Sequence, residues 1–243
     1  MRFLILSDIH ANIQALDAVL AAALTVGYDQ VFVLGDIVGY GGDPAAALAR
    51  TLALPIAAKV RGNHDKVAAG VEPASGFSGP ARAAIEWTTS VLSADDLRAL
   101  AELPQGPRNT DEDVVICHGA PYDEDAYVFG VANAARALEC VSAHLCLFGH
   151  THYAGAFGAY NVMEGDDATL ELPRRASSWP TSGRWANRAM ATRAPPTGCS
   201  TRRLVRCSSD AWTTTSRAPS PPCTKPLPPC ITLPVRRRLT SKI

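Results

Sequence analysis

Five short apolar runs in this sequence each stop at a polar cluster holding histidine, aspartate or both, and that repeated layout constrains the fold more than any other feature. Phe3–Leu6 runs into Ser7-Asp8-Ile9-His10, Val31–Leu34 into Gly35-Asp36, and Ile56–Val60 into Arg61-Gly62-Asn63-His64-Asp65. Val114–Cys117 runs into His118-Gly119, and Leu145–Phe148 into Gly149-His150-Thr151-His152. Short apolar runs without alternation read as strands buried on both faces. Helical patterns separate them. Asn12 caps a helix whose Ile13, Leu16, Val19, Leu20 and Leu24 share one face, and Asp43-Pro44 opens a second helix ending near Leu52. Gly79-Pro80 opens another through about Leu92, Ser93-Ala-Asp-Asp96 resembles a capping box, and Val131–Val141 reads as the last. Residues 67–110 contain no strand pattern and form a helical insert. Strands alternating with helices predict an α/β fold with a largely parallel sheet, whose ligand sites lie at the carboxyl ends of the strands.

The totals set limits. With 243 residues, 47% of them hydrophobic, the chain can bury a sizeable core. Its longest apolar stretch, Ala18–Leu24, is far shorter than the roughly 20 residues of a membrane span, and no signal peptide is legible, so a cytoplasmic location is expected. Seven cysteines without a C-x-x-C pair argue against a zinc ribbon or redox motif. The formal net charge of zero conceals an asymmetry: residues 1–172 carry 9 Lys+Arg and 22 Asp+Glu, whereas 173–243 carry 14 and 1. Eleven of the 18 prolines also fall in that last segment. So abrupt a shift marks a boundary near 172.

Pooled, the corners supply Asp8, His10, Asp36, Asn63, His64, His118, His150 and His152. Imidazoles, carboxylates and an amide together suit borderline divalent ions. Asp8-x-His10 and His150-x-His152 place alternate side chains on one side of an extended segment, so each pair can face one cavity. The candidate ligands exceed what one tetrahedral ion takes, and a carboxylate such as Asp36 can bridge two ions, about 3.5–4 Å apart, an arrangement suited to displacement at phosphorus. Asp65 is able to orient the His64 imidazole. Elsewhere the plain readings prevail: His144 at the surface, Cys117 as a buried thiol, Asp123-Glu124-Asp125 as a solvated acidic loop, and Phe77, Trp87 and Tyr122 packed within the insert rather than lining a substrate pocket.

In this order, Asp8-x-His10, Gly35-Asp36, Gly62-Asn63-His64-Asp65, His118 and Gly149-His150-x-His152 resemble the calcineurin-like metallophosphoesterase superfamily. The fuller wording, including Gly39-Tyr40-Gly41, is similar to its small prokaryotic phosphodiesterase-like branch. The likeness covers roughly residues 1–170. It implies an α/β sandwich of two mixed sheets flanked by helices and a dinuclear site for Mn²⁺, with Fe, Ni, Co or Zn as alternatives. Carried over, the first ion takes Asp8, His10, Asp36 and His152, and the second Asp36, Asn63, His118 and His150. A hydroxide between the ions attacks a phosphodiester or phosphomonoester, His64 assists the leaving oxygen with Asp65 orienting it, and Arg61 touches a phosphate. The expected partner is a small phosphate ester; neither a membrane nor nucleic acid is favoured. Protein phosphatases and symmetrical dinucleoside-tetraphosphate hydrolases of the superfamily carry Asp-Arg-Gly and a terminal Glu where this chain has Gly39-Tyr40-Gly41 and Asp65.

Glu171–Ile243 shows neither strand alternation nor helical periodicity. The resembling family continues instead with a Gly-Ser-Val-Gly-Gln-Pro-Arg-Asp-Gly-Asp-Pro-Arg loop. Starting each triplet on the third base from Trp185 to Thr197 permits Gly-Gln-Pro-Arg-Asp-Gly-Asp-Pro-Arg-Ala-Ala-Tyr. A frameshift between about Leu170 and Ser177 is therefore expected, leaving 173–243 as an aberrant, disordered basic tail and a weakly stable or inactive product. The rival readings are a basic arm that binds nucleic acid and a non-catalytic protein on the same scaffold.

Overall fold

Along β1 (Arg2–Leu6) and β2 (Gln30–Val33), successive side chains are buried in two different cores. Leu4, Leu6, Val31 and Val33 pack toward helices, while Phe3, Ile5 and Phe32, with Leu34 beyond, pack toward a second sheet. Burial on both faces is why these strands read as unbroken apolar runs. The fold, a computed structural model, describes residues 2–110, 113–143, 145–153, 155–158, 162–164, 185–187 and 203–205. The expected His144 and most of the expected tail lie outside them. These residues belong to a compact unit, Met1–Trp212.

The first sheet has the order β10-β1-β2-β3, with β3 at Ile56–Lys59 and β10 at Arg203–Val205, and its pairs are all parallel. The second has the order β4-β5-β6-β9-β7-β8. Its parallel centre is β5 (Val114–Ile116), β6 (Leu145–Leu147) and β9 (Trp185–Asn187). Antiparallel β4 (Arg108–Asn109), β7 (Gly155–Gly158) and β8 (Val162–Glu164) complete it. The sheets are joined by Phe3, Ile5, Phe32, Leu34 and Val60 against Val114, Ile116, Leu145 and Leu147. On their outer faces lie α1 (Ile13–Val26), α2 (Pro44–Leu52), α4 (Gly79–Val91) and α5 (Ala94–Ala101) for the first sheet, and α6 (Val131–Glu139) for the second. The result is the two-sheet α/β sandwich that the resemblance implies.

Several local expectations change. Asn12 caps α1, accepting from the Ala15 N–H at 2.9 Å, but Leu24 is 70% exposed and Ala23 takes its buried place. Asp43 makes no capping bond to α2; its carboxylate accepts from Gln14. The corner after β3 is itself a helix, α3 (Asn63–Ala68), and β4 falls where no strand was expected. Six residues of helix or two of strand are too short to show a period. β9 and β10 also fall past position 172, within the segment expected to lack regular structure. Among the described residues no helix is long and apolar enough to cross a membrane.

Candidate metal centre

All five corners meet at one end of the two sheets, tied by main-chain bonds. The N–H groups of Asp8, His10 and Ala11 donate to the carbonyls of Gly35, Asp36 and Ile37 at 3.0, 2.9 and 2.8 Å. Across the sheets, His118 Nδ1 lies 2.8 Å from the Leu34 oxygen, and the His150 N–H donates to the Asp8 carboxylate at 3.0 Å. The turns bend tightly enough to put Asp8, His10, Ala11, Asp36, Tyr40, His150 and His152 at positive φ, between 49° and 66°. Each non-glycine residue there costs on the order of 1–3 kcal/mol, strain that persists only where surroundings over-determine it. Glycine is required at several of these corners: a Cβ on Gly62 would collide with the Asp36 carboxylate, and one on Gly39, at φ +89°, with the His64 ring.

The ligand atoms converge as two clusters that share one residue. Asp8, His10, Asp36 and His152 form one and Asp36, His118 and His150 the other, with the offered atoms of each within 4.8 Å of one another. Asp36 divides its oxygens: Oδ1 accepts from the His64 N–H at 2.9 Å, while Oδ2 stands 3.7 Å from His10 Nε2 and 3.3 Å from His118 Nε2. His118 Nε2 also lies 3.1 Å from Asn63 Oδ1 and 3.0 Å from His150 Nδ1. His10 Nε2 and His152 Nε2 are 3.0 Å apart, with Asp8 Oδ1 3.5 Å from the latter.

This donor set fits divalent ions. Backbone oxygens of Val38, Leu34 and Asp125 sit by the outer ring nitrogens of His10, His118 and His150 at 3.2, 2.8 and 3.0 Å, which assigns those nitrogens their protons and turns the other three inward. A single proton on His118 Nε2 can satisfy one of the oxygen and nitrogen acceptors around it; a cation satisfies them together. The electrostatics agree. Against burial, which raises it, the His118, His10 and His64 imidazoles hold the Asp36 carboxyl far below the usual range. Against burial, which lowers it, Asp36 raises His118 to about 10.

His64 and Asp65 are brought to the site but not to each other in the expected way. Asp65 Oδ1 accepts from the Ile37 and Val38 N–H groups at 2.8 and 3.2 Å, and Oδ2 from Gly62 N–H at 3.0 Å. Its carboxylate therefore braces the Asp36 loop rather than orienting the imidazole. His64 Nδ1 is buried without a hydrogen-bond partner. The ring is fixed by neighbours instead, with centroids 4.9 Å from His10, 4.5 Å from Tyr40 and 4.8 Å from Phe77. Burial pushes its pKa down to about 4, leaving it neutral at pH 7.

Arg61 is turned away from the pocket. Its Nε and Nη2 donate to the two oxygens of Glu124 at 3.1 and 2.8 Å. The loop expected to be solvated is thus partly buried, with the Glu124 side chain 12% exposed. Phe77 lines the pocket rather than packing only within the insert, and Tyr122 stacks beneath Arg136. Cys117 is the buried thiol expected, 3.8 Å from Cys146 Sγ. The pocket over the clusters encloses about 720 Å³ and is walled by Tyr40, Phe77, Tyr127 and Phe129. Tyr127 and Phe129 went unnoticed in the sequence, because Tyr127-Val-Phe129 lies between an acidic loop and a helix and carries no recognisable spacing.

A two-sheet α/β sandwich that gathers two histidine–aspartate clusters at its strand ends presents a candidate site for divalent ions. Residues 1–165 match the calcineurin-like phosphoesterase superfamily domain, and the chain belongs to that superfamily. The crystal structure of a metallophosphoesterase from Sphaerobacter thermophilus is similar, with a TM-score of 0.63 and 33% sequence identity, covering 76% of this chain and 74% of that one. An uncharacterized protein of Methanocaldococcus jannaschii is 39% identical over 100 residues, a stretch that spans 41% of this chain and 41% of that relative's length.

Proposed function

We propose that this chain is a phosphoesterase dependent on two divalent ions, hydrolysing phosphodiesters or phosphomonoesters. The observation that carries the reading is Asp36 Oδ2, a single carboxylate oxygen between the two clusters. Asp8, His10, Asp36 and His152 would hold one ion, and Asp36, Asn63, His118 and His150 the other. The mixed nitrogen and oxygen set suits borderline divalent ions such as Mn²⁺, Fe²⁺, Ni²⁺, Co²⁺ or Zn²⁺, with Mn²⁺ the ion that the family resemblance implies. Such ions polarise a phosphoryl oxygen and lower the pKa of bound water toward neutrality.

The remaining work falls to side chains. A buried Nδ1 without a partner is better left unprotonated, so the His64 proton belongs on Nε2, where a neutral ring can donate to a phosphoryl or leaving oxygen. Being neutral at pH 7, His64 serves as a hydrogen-bond donor to developing charge rather than as a ready proton source. Tyr40 and Phe77 on one flank, and Tyr127 and Phe129 on the other, favour an ester bearing a planar or apolar group on its alcohol.

Hydrolysis of a chromogenic phosphodiester with added Mn²⁺, alongside metal analysis, tests the activity. His64→Ala is expected to bind both ions as the wild type does and to lower kcat by about 10²–10³-fold, the usual effect of losing one donor to transition-state charge. Unchanged kcat would remove His64 from the chemistry.

We propose further that residues beyond about 170–177 are translated out of frame, a reading supported by the jump in basic and proline content and by the wording the shifted triplets permit. Sequencing the gene across these codons is expected to find a frame that continues the family-like loop. An uninterrupted frame whose alternatives encode no such tail ends the idea.

A further inference from the structure

One loop holds the His150 ring from two sides. Its Nε2 lies 3.0 Å from the Asp125 backbone oxygen, which leaves Nδ1 facing His118 Nε2. Its face is stacked on Tyr127, with centroids 4.0 Å apart and planes 16° from parallel. An imidazole that donates from one nitrogen to a fixed acceptor presents the lone pair of the other in a fixed direction. The placement of residues 125–127 therefore decides where Nδ1 points.

Charges on a different segment hold that loop. Arg61 grips Glu124 through two parallel bonds, and Lys66 Nζ reaches Glu124 at 3.2 Å, Asp125 at 2.5 Å and Glu72 at 2.5 Å. Lys66 is only 3% exposed. Buried pairs of this kind contribute little net stability once desolvation is counted; what they fix is position. Arg61 and Lys66 also flank Asn63, so a single stretch supplies a ligand and sets the loop that aims another.

We infer that Arg61 and Lys66 are positioning residues for the second ion: through Glu124 and Asp125 they hold the loop that aims His150 Nδ1. They thereby tune the cluster of Asp36, Asn63, His118 and His150 without touching that of Asp8, His10, Asp36 and His152. The inference rests on the dinuclear reading above. A purely structural network would lower the stability of the whole chain and weaken both sites alike. A positioning network changes the ratio of the two affinities.

The test titrates Mn²⁺ calorimetrically into the full chain as wild type, Glu124→Gln, Asp125→Asn, Lys66→Met and Lys66→Arg. The wild type is expected to bind two ions. Glu124→Gln and Lys66→Met should weaken the second by about 10–100-fold, the usual effect of losing an outer partner of a ligand. The first site should stay within about twofold, and Lys66→Arg should recover most of the loss. Should Lys66→Met fail to fold, as can follow from weakening the pairing of the buried Glu124 carboxylate, Glu124→Gln and Asp125→Asn carry the test, the latter at a half-exposed side chain. Two ions bound by these variants with wild-type affinities, or both sites weakened equally, would overturn the inference alone. A wild type that binds fewer than two ions overturns the dinuclear reading and the inference with it.

Discussion

Asp36→Asn is expected to abolish paired-ion binding and to lower phosphoester turnover by roughly 10³-fold or more, corresponding to about 4 kcal/mol of lost transition-state stabilisation. The reason lies in how the native carboxylate is divided. One oxygen accepts from the His64 N–H, and the other faces the ring nitrogens of His10 and His118. An asparagine that keeps its oxygen on the His64 N–H must turn its amide NH₂ toward those nitrogens, where it offers protons in place of a shared anionic ligand. The substitution is nearly isosteric, so the fold should survive it. Metal-to-protein ratios from mass spectrometry, measured beside turnover, give the answer. A variant that retains two ions and native activity would remove Asp36 from the centre.

Ion removal should produce the second large effect. With free Mn²⁺ at a thousand times its dissociation constant, each site adds about 4 kcal/mol to the folded state. Two sites add about 8 kcal/mol, or roughly 15–30 °C in Tm for a domain of this size. Thermal melts with and without chelator measure it. The pH dependence has a definite sign. Asp36 raises the metal-free pKa of His118 to about 10, above its usual 6.5. That protonation stabilises the metal-free protein fully below about pH 6.5, and the contribution is lost as pH rises through 10. An ion at the second site must displace the same proton, so its affinity should climb about tenfold per pH unit between 7 and 9. The melting gap between metal-bound and metal-free protein should widen over that range. A gap independent of pH would show that His118 is not a ligand.

The strained turns give the proposed ions a structural role as well as a chemical one. Asp8, His10, Asp36, His150 and His152 all sit at positive φ, and each adds a cost that persists only because the hydrogen bonds between corners hold the turns. Metal binding would offset part of that cost, because the residues at positive φ are also the candidate ligands.

Much of this architecture is legible in the sequence. Phe3–Leu6 and Val31–Leu34 announced buried strands because both their faces pack, and the polar residues after them fell at strand ends because a parallel sheet directs every such end the same way. Asn12 and Ser93 declared helix starts through local bonds that depend on neighbours three residues away. The helix at Asn63–Ala68 and the strand at Arg108–Asn109 were not legible, since neither is long enough to express a period.

Residue order alone carries the candidate ligand types and the strand ends that deliver them, because these depend on residue chemistry and on strand burial, both local properties. Which partner each charged group takes is set by the packed fold. Asp65 braces backbone N–H groups instead of His64, Arg61 grips Glu124 instead of a substrate, and a loop that reads as solvated acid is partly buried against two cations. The two pairings with Glu124 join residues about sixty positions apart, and there a charge satisfies itself with whatever opposite charge the packing of the sheets brings within reach, which no local pattern encodes.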